Sequence, residues 1–102
     1  MKQEGGVPMT TFIMFGSYSS ESVKEISAER TDLAEKVIKK YNGRVRAGYV
    51  LLGEVDLILI VDFPNRKQAM KASVALNKFL GVSFATQPAV TLDEFDRLME
   101  DV

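Results

Sequence analysis

The sequence predicts an α+β domain in which two helices cover one face of a four-stranded antiparallel sheet. Three observations lead there. Hydrophobic spacing switches between the two-residue period of strands and the three-to-four-residue period of helices, in the order βαββαβ followed by a terminal helix. The chain has 102 residues, enough for one core and no more. It has no cysteine, so no disulfide framework stands in for that core. A composition that is 46% hydrophobic and 26% charged is that of a folded globular chain rather than a disordered tail.

Residues 1–8 are polar and glycine-rich up to Pro8 and are expected to be a mobile extension, leaving 9–102 as the domain. Thr10 to Phe15 is β-branched and aromatic and ends at Gly16-Ser17, which marks a first strand. From Ser20 or Ser22 onward, Val23, Ile26, Leu33, Ala34, Val37, Ile38 and Tyr41 fall on one helical face. Ser22 with Glu25 fits a capping box, and Lys39, Lys40 and Gly43 fit a C-terminal end. The patch from Ser27 to Thr31 lacks a large apolar residue and marks a bend or break.

Arg44 to Leu52 and Val55 to Phe63 are β-rich and separated only by Gly53-Glu54, which predicts a tight antiparallel hairpin. Asn65 with Gln68 caps a second helix with Ala69, Met70, Ser73, Leu76 and Leu80 inside and Gly81 as its stop. A fourth strand follows from Val82 to Val90, and Pro88 places its end at a sheet edge or bulge. Thr91 and Glu94 cap a short terminal helix with an apolar face of Leu92, Phe95, Leu98 and Met99. The ferredoxin-like plait is the natural solution for this order.

With both helices on one face, a monomer would show a polar opposite face. Strands one and three break that rule, because Ile13, Phe15, Ile58 and Ile60 oppose Phe12, Met14, Leu59 and Val61. A second apolar face needs a cover, and a homodimer of face-to-face sheets, a dimeric α+β barrel, supplies one. The alternative cover is the terminal helix folded back on its own sheet.

Around the hairpin the chain reads Tyr49-Val50-Leu51-Leu52-Gly53-Glu54-Val55-Asp56-Leu57-Ile58, and here it resembles the GYD-domain family of small bacterial and archaeal proteins. The resemblance extends over nearly everything after Met9, including Gly16-Ser17-Tyr18, Arg30, Gly43-Arg44-Val45 and Glu94-Phe95. It departs at Val55, where the family has tyrosine before the aspartate, so that any role of that tyrosine is either lost or supplied from elsewhere, with Tyr49 as a candidate. The Gly53-to-Asp56 hairpin is also similar to that of the ligand-binding domain of leucine-responsive-type regulators. The resemblance implies a dimeric α+β barrel and brings no activity with it.

Composition restricts the chemistry. There is no histidine and no cysteine, so Ser-His and Cys-His nucleophiles, thiolate or imidazole zinc sites and histidine-ligated haem are all excluded. No metal or other cofactor is expected. Thirteen basic against fourteen acidic side chains leave no positive field for a nucleic-acid backbone. The longest apolar stretch, Val55 to Phe63, is half a membrane span and contains Asp56 and Asp62. A cytoplasmic location follows as the expectation, since no secretory leader pattern is visible.

The candidate ligand-binding residues are Asp56, Tyr49, Arg46, Arg44, Tyr18 and Arg30. Gly53 and Asp56 serve a turn in the structural reading, while Asp56 beside an apolar barrel could instead move a proton or anchor an amine. Arg44 and Arg46 could clamp a carboxylate and Tyr49 orient a carbonyl. Alternation separates Tyr49 from the arginines unless a bulge intervenes, which Gly48 would permit. Acidic residues of the terminal helix, including Asp93 and Glu94, match no calcium loop and read as a solvated face. Three functions fit these residues: a small-molecule-binding or sensing dimer, a cofactor-independent monooxygenase or isomerase using Asp56 or Tyr49, and a structural assembly subunit. An enclosed cavity with polar groups would favour the first two.

Overall fold

A computed structural model describes residues 8–102, so seven of the eight residues read as a mobile extension lie outside the described part. Strand β1 (Thr10–Tyr18) is followed by a short helix α1 (Ser20–Val23) and helix α2 (Ala28–Lys40). Then come β2 (Arg44–Val50), β3 (Leu57–Phe63), α3 (Arg66–Leu80), β4 (Val82–Ala89) and α4 (Leu92–Leu98), ending in a 3-10 turn over Met99–Asp101. The four strands form one antiparallel sheet in the order β2-β3-β1-β4, the order of the expected plait. Pro88 lies on β4, an edge strand, where its missing N–H leaves no gap in an interior ladder.

The core lies between the sheet and the helices. Phe12 and Met14 of β1, Val61 and Phe63 of β3, Ile38 of α2, and Ala69, Ala72, Leu76 and Leu80 of α3 are buried together. Phe12 and Phe63 meet edge to face, with ring centroids 5.8 Å apart. Helix α3 packs through alanines, which let its backbone approach the sheet, and Met70, expected inside, is instead exposed. Its ends follow the sequence: Asn65 accepts from the Gln68 amide, and Gly81 takes the left-handed conformation, with φ of 70°.

Three expectations need correction. The break expected in the helical run is present, just before Ala28, but Ser19 rather than Ser22 caps the first piece, while Ser27 accepts from the Arg30 amide and starts the second. Ser22 is instead buried, and its hydroxyl donates to the Gly81 carbonyl 3.0 Å away. The stop after α2 is Asn42, with φ of 66°, and not Gly43. Gly43 is required for space, since a Cβ there would meet Phe63 and Ile38 at 2.5 and 2.6 Å. Finally, the hairpin is not tight. The strands end at Val50 and Leu57, and the six residues between them form an open loop in which Gly53 has free space around it and no positive φ.

Helix α4 has no buried residue, and Leu92, Phe95 and Leu98 are 83%, 48% and 53% exposed. It does not fold back over its own sheet, so that alternative cover is overturned. Ile13, Phe15, Ile58 and Ile60 remain only half-buried on the face away from α2 and α3.

Candidate functional site

Strand β2 decides where the candidate residues point. Arg44 pairs with Asp62 and Val45 with Val61, but Ala47 pairs with Ile60, so Arg46 is the extra residue of a β-bulge. The bulge comes two residues before Gly48. From there on, Tyr49 opposite Ile58 and Ala47 opposite Ile60 share the open face with Arg44 and Asp62. Alternation alone had set Tyr49 and the arginines apart. They do share a face, but Ile58 and Asp62 are four residues apart on β3, which sets the backbone positions of Tyr49 and Arg44 opposite them about 13 Å apart at strand spacing.

The arginines converge on Asp62. Arg44 Nη2 and Arg46 Nη1 donate to Asp62 Oδ2 at 3.3 and 3.0 Å, and Thr11 Oγ1 donates to Oδ1 at 2.8 Å. Asp62 is 3% exposed. Burial works against its charge, but the hydrogen bonds from Thr11 and Arg46, the Arg46 charge and the Arg44 contact outweigh it, and its pKa is lowered. Asp62 was not among the residues singled out from sequence, where it reads only as a polar break in an apolar strand. Its signal was position: an aspartate on the open face of a central strand, one residue before the strand ends, has to find donors.

Asp56 has a structural place. Its Oδ2 accepts the Tyr18 amide at 2.9 Å, its own N–H donates to the Gly16 carbonyl at 2.9 Å, and its carbonyl accepts from the Leu51 amide at 2.8 Å. The loop is thereby fastened to the end of β1. Asp56 accepts an amide hydrogen bond as the turn reading expected, although the amide belongs to β1 and not to the turn.

Tyr18 and Arg30, the remaining candidates, meet at a cavity of about 310 Å³ on the helix side of the sheet. Its floor is Val45, Gly48, Leu57 and Leu59, its roof is Ile26, Ala34 and Ile38, and Leu80 and Phe84 close one side. Arg30 stands at its edge, donating from Nη2 to the Leu80 carbonyl and pairing with Glu25 at 3.4 Å. The cavity exists because α2 lies loosely on β2. Only Ile38 of that helix is fully buried, and Val23, Ile26 and Leu33, expected inside, are exposed. The six candidates therefore divide between two sites: Tyr18 and Arg30 at the cavity, and Arg44, Arg46 and Tyr49 on the open face, with Asp56 bracing the loop.

The family model of the GYD domain matches residues 12–99. The chain belongs to the GYD-domain family. No curated protein matches it. Among solved structures, this GYD-domain chain is similar to the leucine response regulatory protein LrpA of Mycobacterium tuberculosis. The TM-score is 0.53 at 10% identity, over 80% of this chain and 51% of that one, so the match spans about half the length of the regulator. At that identity the likeness shows the fold: an α+β plait of the type also found in LrpA. Among the described residues, no helix is long and apolar enough to cross a membrane.

Proposed function

We propose that this GYD-domain protein is a small-molecule-binding or sensing module that works as a homodimer in the cytoplasm. The cavity between α2 and β2 carries the proposal. Its apolar lining is mainly aliphatic, and Tyr18, Ser22, Ser27, Arg30, Thr31 and Glu35 are its polar groups, the usual make-up of a metabolite pocket. The dimer rests on the open face, where Ile13, Phe15, Ile58 and Ile60 form an apolar band that the described residues leave uncovered. LrpA is, as its name says, a leucine response regulatory protein, which agrees with a sensing role for the fold but passes no ligand to this chain.

The geometry favours binding over proton transfer. Asp56 is held by the Tyr18 amide, and Tyr49 faces away from the cavity, so neither residue named for acid or base work points into it. Thermal-shift screening of apolar metabolites tests the reading, with Ala34→Phe, which fills the cavity, as control. A compound that raises the melting temperature of the wild type and not of Ala34→Phe supports it. If no compound stabilises the wild type while Ala34→Phe melts higher than it, the cavity is only a packing defect and the protein is an assembly subunit.

A further inference from the structure

The open face carries an unbalanced charge. Two guanidiniums share the single carboxylate of Asp62, whose other oxygen takes Thr11. The arginine side chains stay 69% and 54% exposed while that of Asp62 is 4% exposed. One positive charge is thus left over at the β2 edge. The other strand residues that share this face, such as Ile13, Phe15, Ala47, Tyr49, Ile58 and Ile60, include no second carboxylate. If a second copy covers the face, as proposed above and as this inference requires, that charge enters an interface where an unpaired cation is costly.

Helix α4 has the missing charge. It contains Asp93, Glu94 and Asp96, with Glu100 and Asp101 just beyond, against the single cation Arg97. At about 100° per residue, Leu92, Phe95 and Leu98 form one stripe, and Glu94 and Asp96 border it on either side. Nothing among the described residues buries that stripe.

The sheet register brings the two together. Arg44 pairs with Asp62, Asp62 with Thr11, and Thr11 with Ala89, so one row crosses the sheet from the arginines to the end of β4, three residues before α4 begins. A twofold axis between two facing sheets, parallel to their strands, keeps rows level and exchanges left for right. The β4 edge of one copy then lies over the β2 edge of the other. We infer that α4 of each protomer packs across the β2 edge of its partner, where Glu94 and Asp96, on the two borders of the stripe, offset the positive charge that Asp62 leaves on Arg44 and Arg46 of the partner subunit, and the apolar stripe seals the margin of the interface.

The test measures the dimer dissociation constant of the full chain by light scattering on a concentration series, with each variant's fold checked by circular dichroism. Arg46→Glu is expected to raise the constant about tenfold, as is the pair Glu94→Arg with Asp96→Arg. Combining all three should restore it to within about threefold of the wild type, the rescue that a direct charge pair gives in a mutant cycle. The α4 pair keeps the test readable if Arg46→Glu fails to fold, because α4 has no buried residue to disturb. A wild type that stays monomeric overturns the dimer itself. A wild-type dimer that is unaffected by the α4 reversals, or losses that add up without rescue, overturns the α4 exchange and leaves the dimer standing. Weakening by Lys67→Glu with Lys71→Glu, rescued by the α4 reversals, would mean that α4 docks on the basic surface of α3 and would also overturn it.

Discussion

Removing the Asp62 carboxylate should destabilise the fold by about 2–3 kcal/mol, most of it through Thr11. The partners of Asp62 differ in solvent exposure. The arginine side chains are more than half exposed, so each pair is worth no more than about 0.2–1 kcal/mol. The Thr11 hydroxyl, half-buried and 2.8 Å from a carboxylate that is 3% exposed, makes a charge-assisted bond worth about 1.5–3 kcal/mol. Asp62→Ala should therefore lower the melting temperature by roughly 10–20 °C for a domain of this size. Thr11→Val should cost about 1–2 kcal/mol, and the double variant less than the two losses added, with a coupling of about 1 kcal/mol. Urea denaturation at fixed protomer concentration, in 0.15 M and 0.5 M salt, measures these quantities. The coupling should survive high salt, since screening weakens the exposed arginine pairs and hardly affects a bond at a buried oxygen. An Asp62→Ala loss below about 0.5 kcal/mol, or one that vanishes in 0.5 M salt, would refute the assignment to Thr11.

The same carboxylate sets a pH dependence. Because its pKa in the fold lies below the ordinary value of 3.8, its contribution is fully present above that value and is lost as pH falls through the lower folded value. The stability gap between wild type and Asp62→Asn should stay constant from about pH 7 to 5 and close below about pH 4 in urea titrations. Gly43→Ala should cost about 1–3 kcal/mol by crowding Phe63 and Ile38, measured as a lower urea midpoint with unchanged slope. Asp56→Ala, which leaves the Tyr18 amide without its acceptor, should cost about 1–3 kcal/mol and raise amide exchange at Tyr18. Asp56→Asn, which keeps an acceptor oxygen, should cost less than half as much.

What could be read from sequence was what short-range chemistry dictates. Asn65 and Gln68, Thr91 and Glu94, and Gly81 reported helix ends correctly, because a cap is a contact between residues three or four apart. The two apolar faces of β1 and β3 were equally legible, since side chains alternate along any regular strand. What escaped depends on distant partners. Ser22 looks like a cap from its neighbours, but it is claimed by Gly81, 59 positions away. The hairpin was drawn too tight because Leu51, Leu52 and Val55 are good strand residues, while the loop that holds them is fixed by Asp56 reaching β1. The site divided in the same way. Residue types nominated Arg44, Arg46, Tyr18 and Arg30, but Asp62 emerged only when the register set it between two arginines and a threonine.

The extra residue at Arg46 has a consequence on the opposite side of the sheet. Had Arg46 taken a regular place in the ladder, the helix-facing positions of β2 would be Val45, Ala47 and Tyr49, and a phenol ring would project toward Leu57 and into the space beneath α2. With the bulge, the residue facing that space is Gly48, which has no side chain at all. The volume of the cavity is thus set by a count of backbone residues as much as by the size of its walls. Deleting Arg46 would remove the bulge and leave Gly48 facing the chamber, whereas drawing Arg46 into the ladder opposite Ile60 would turn Tyr49 inward and fill it. A pocket governed by parity in this way stays open only while the strand carries its extra residue as a bulge, a condition set outside the pocket's own walls.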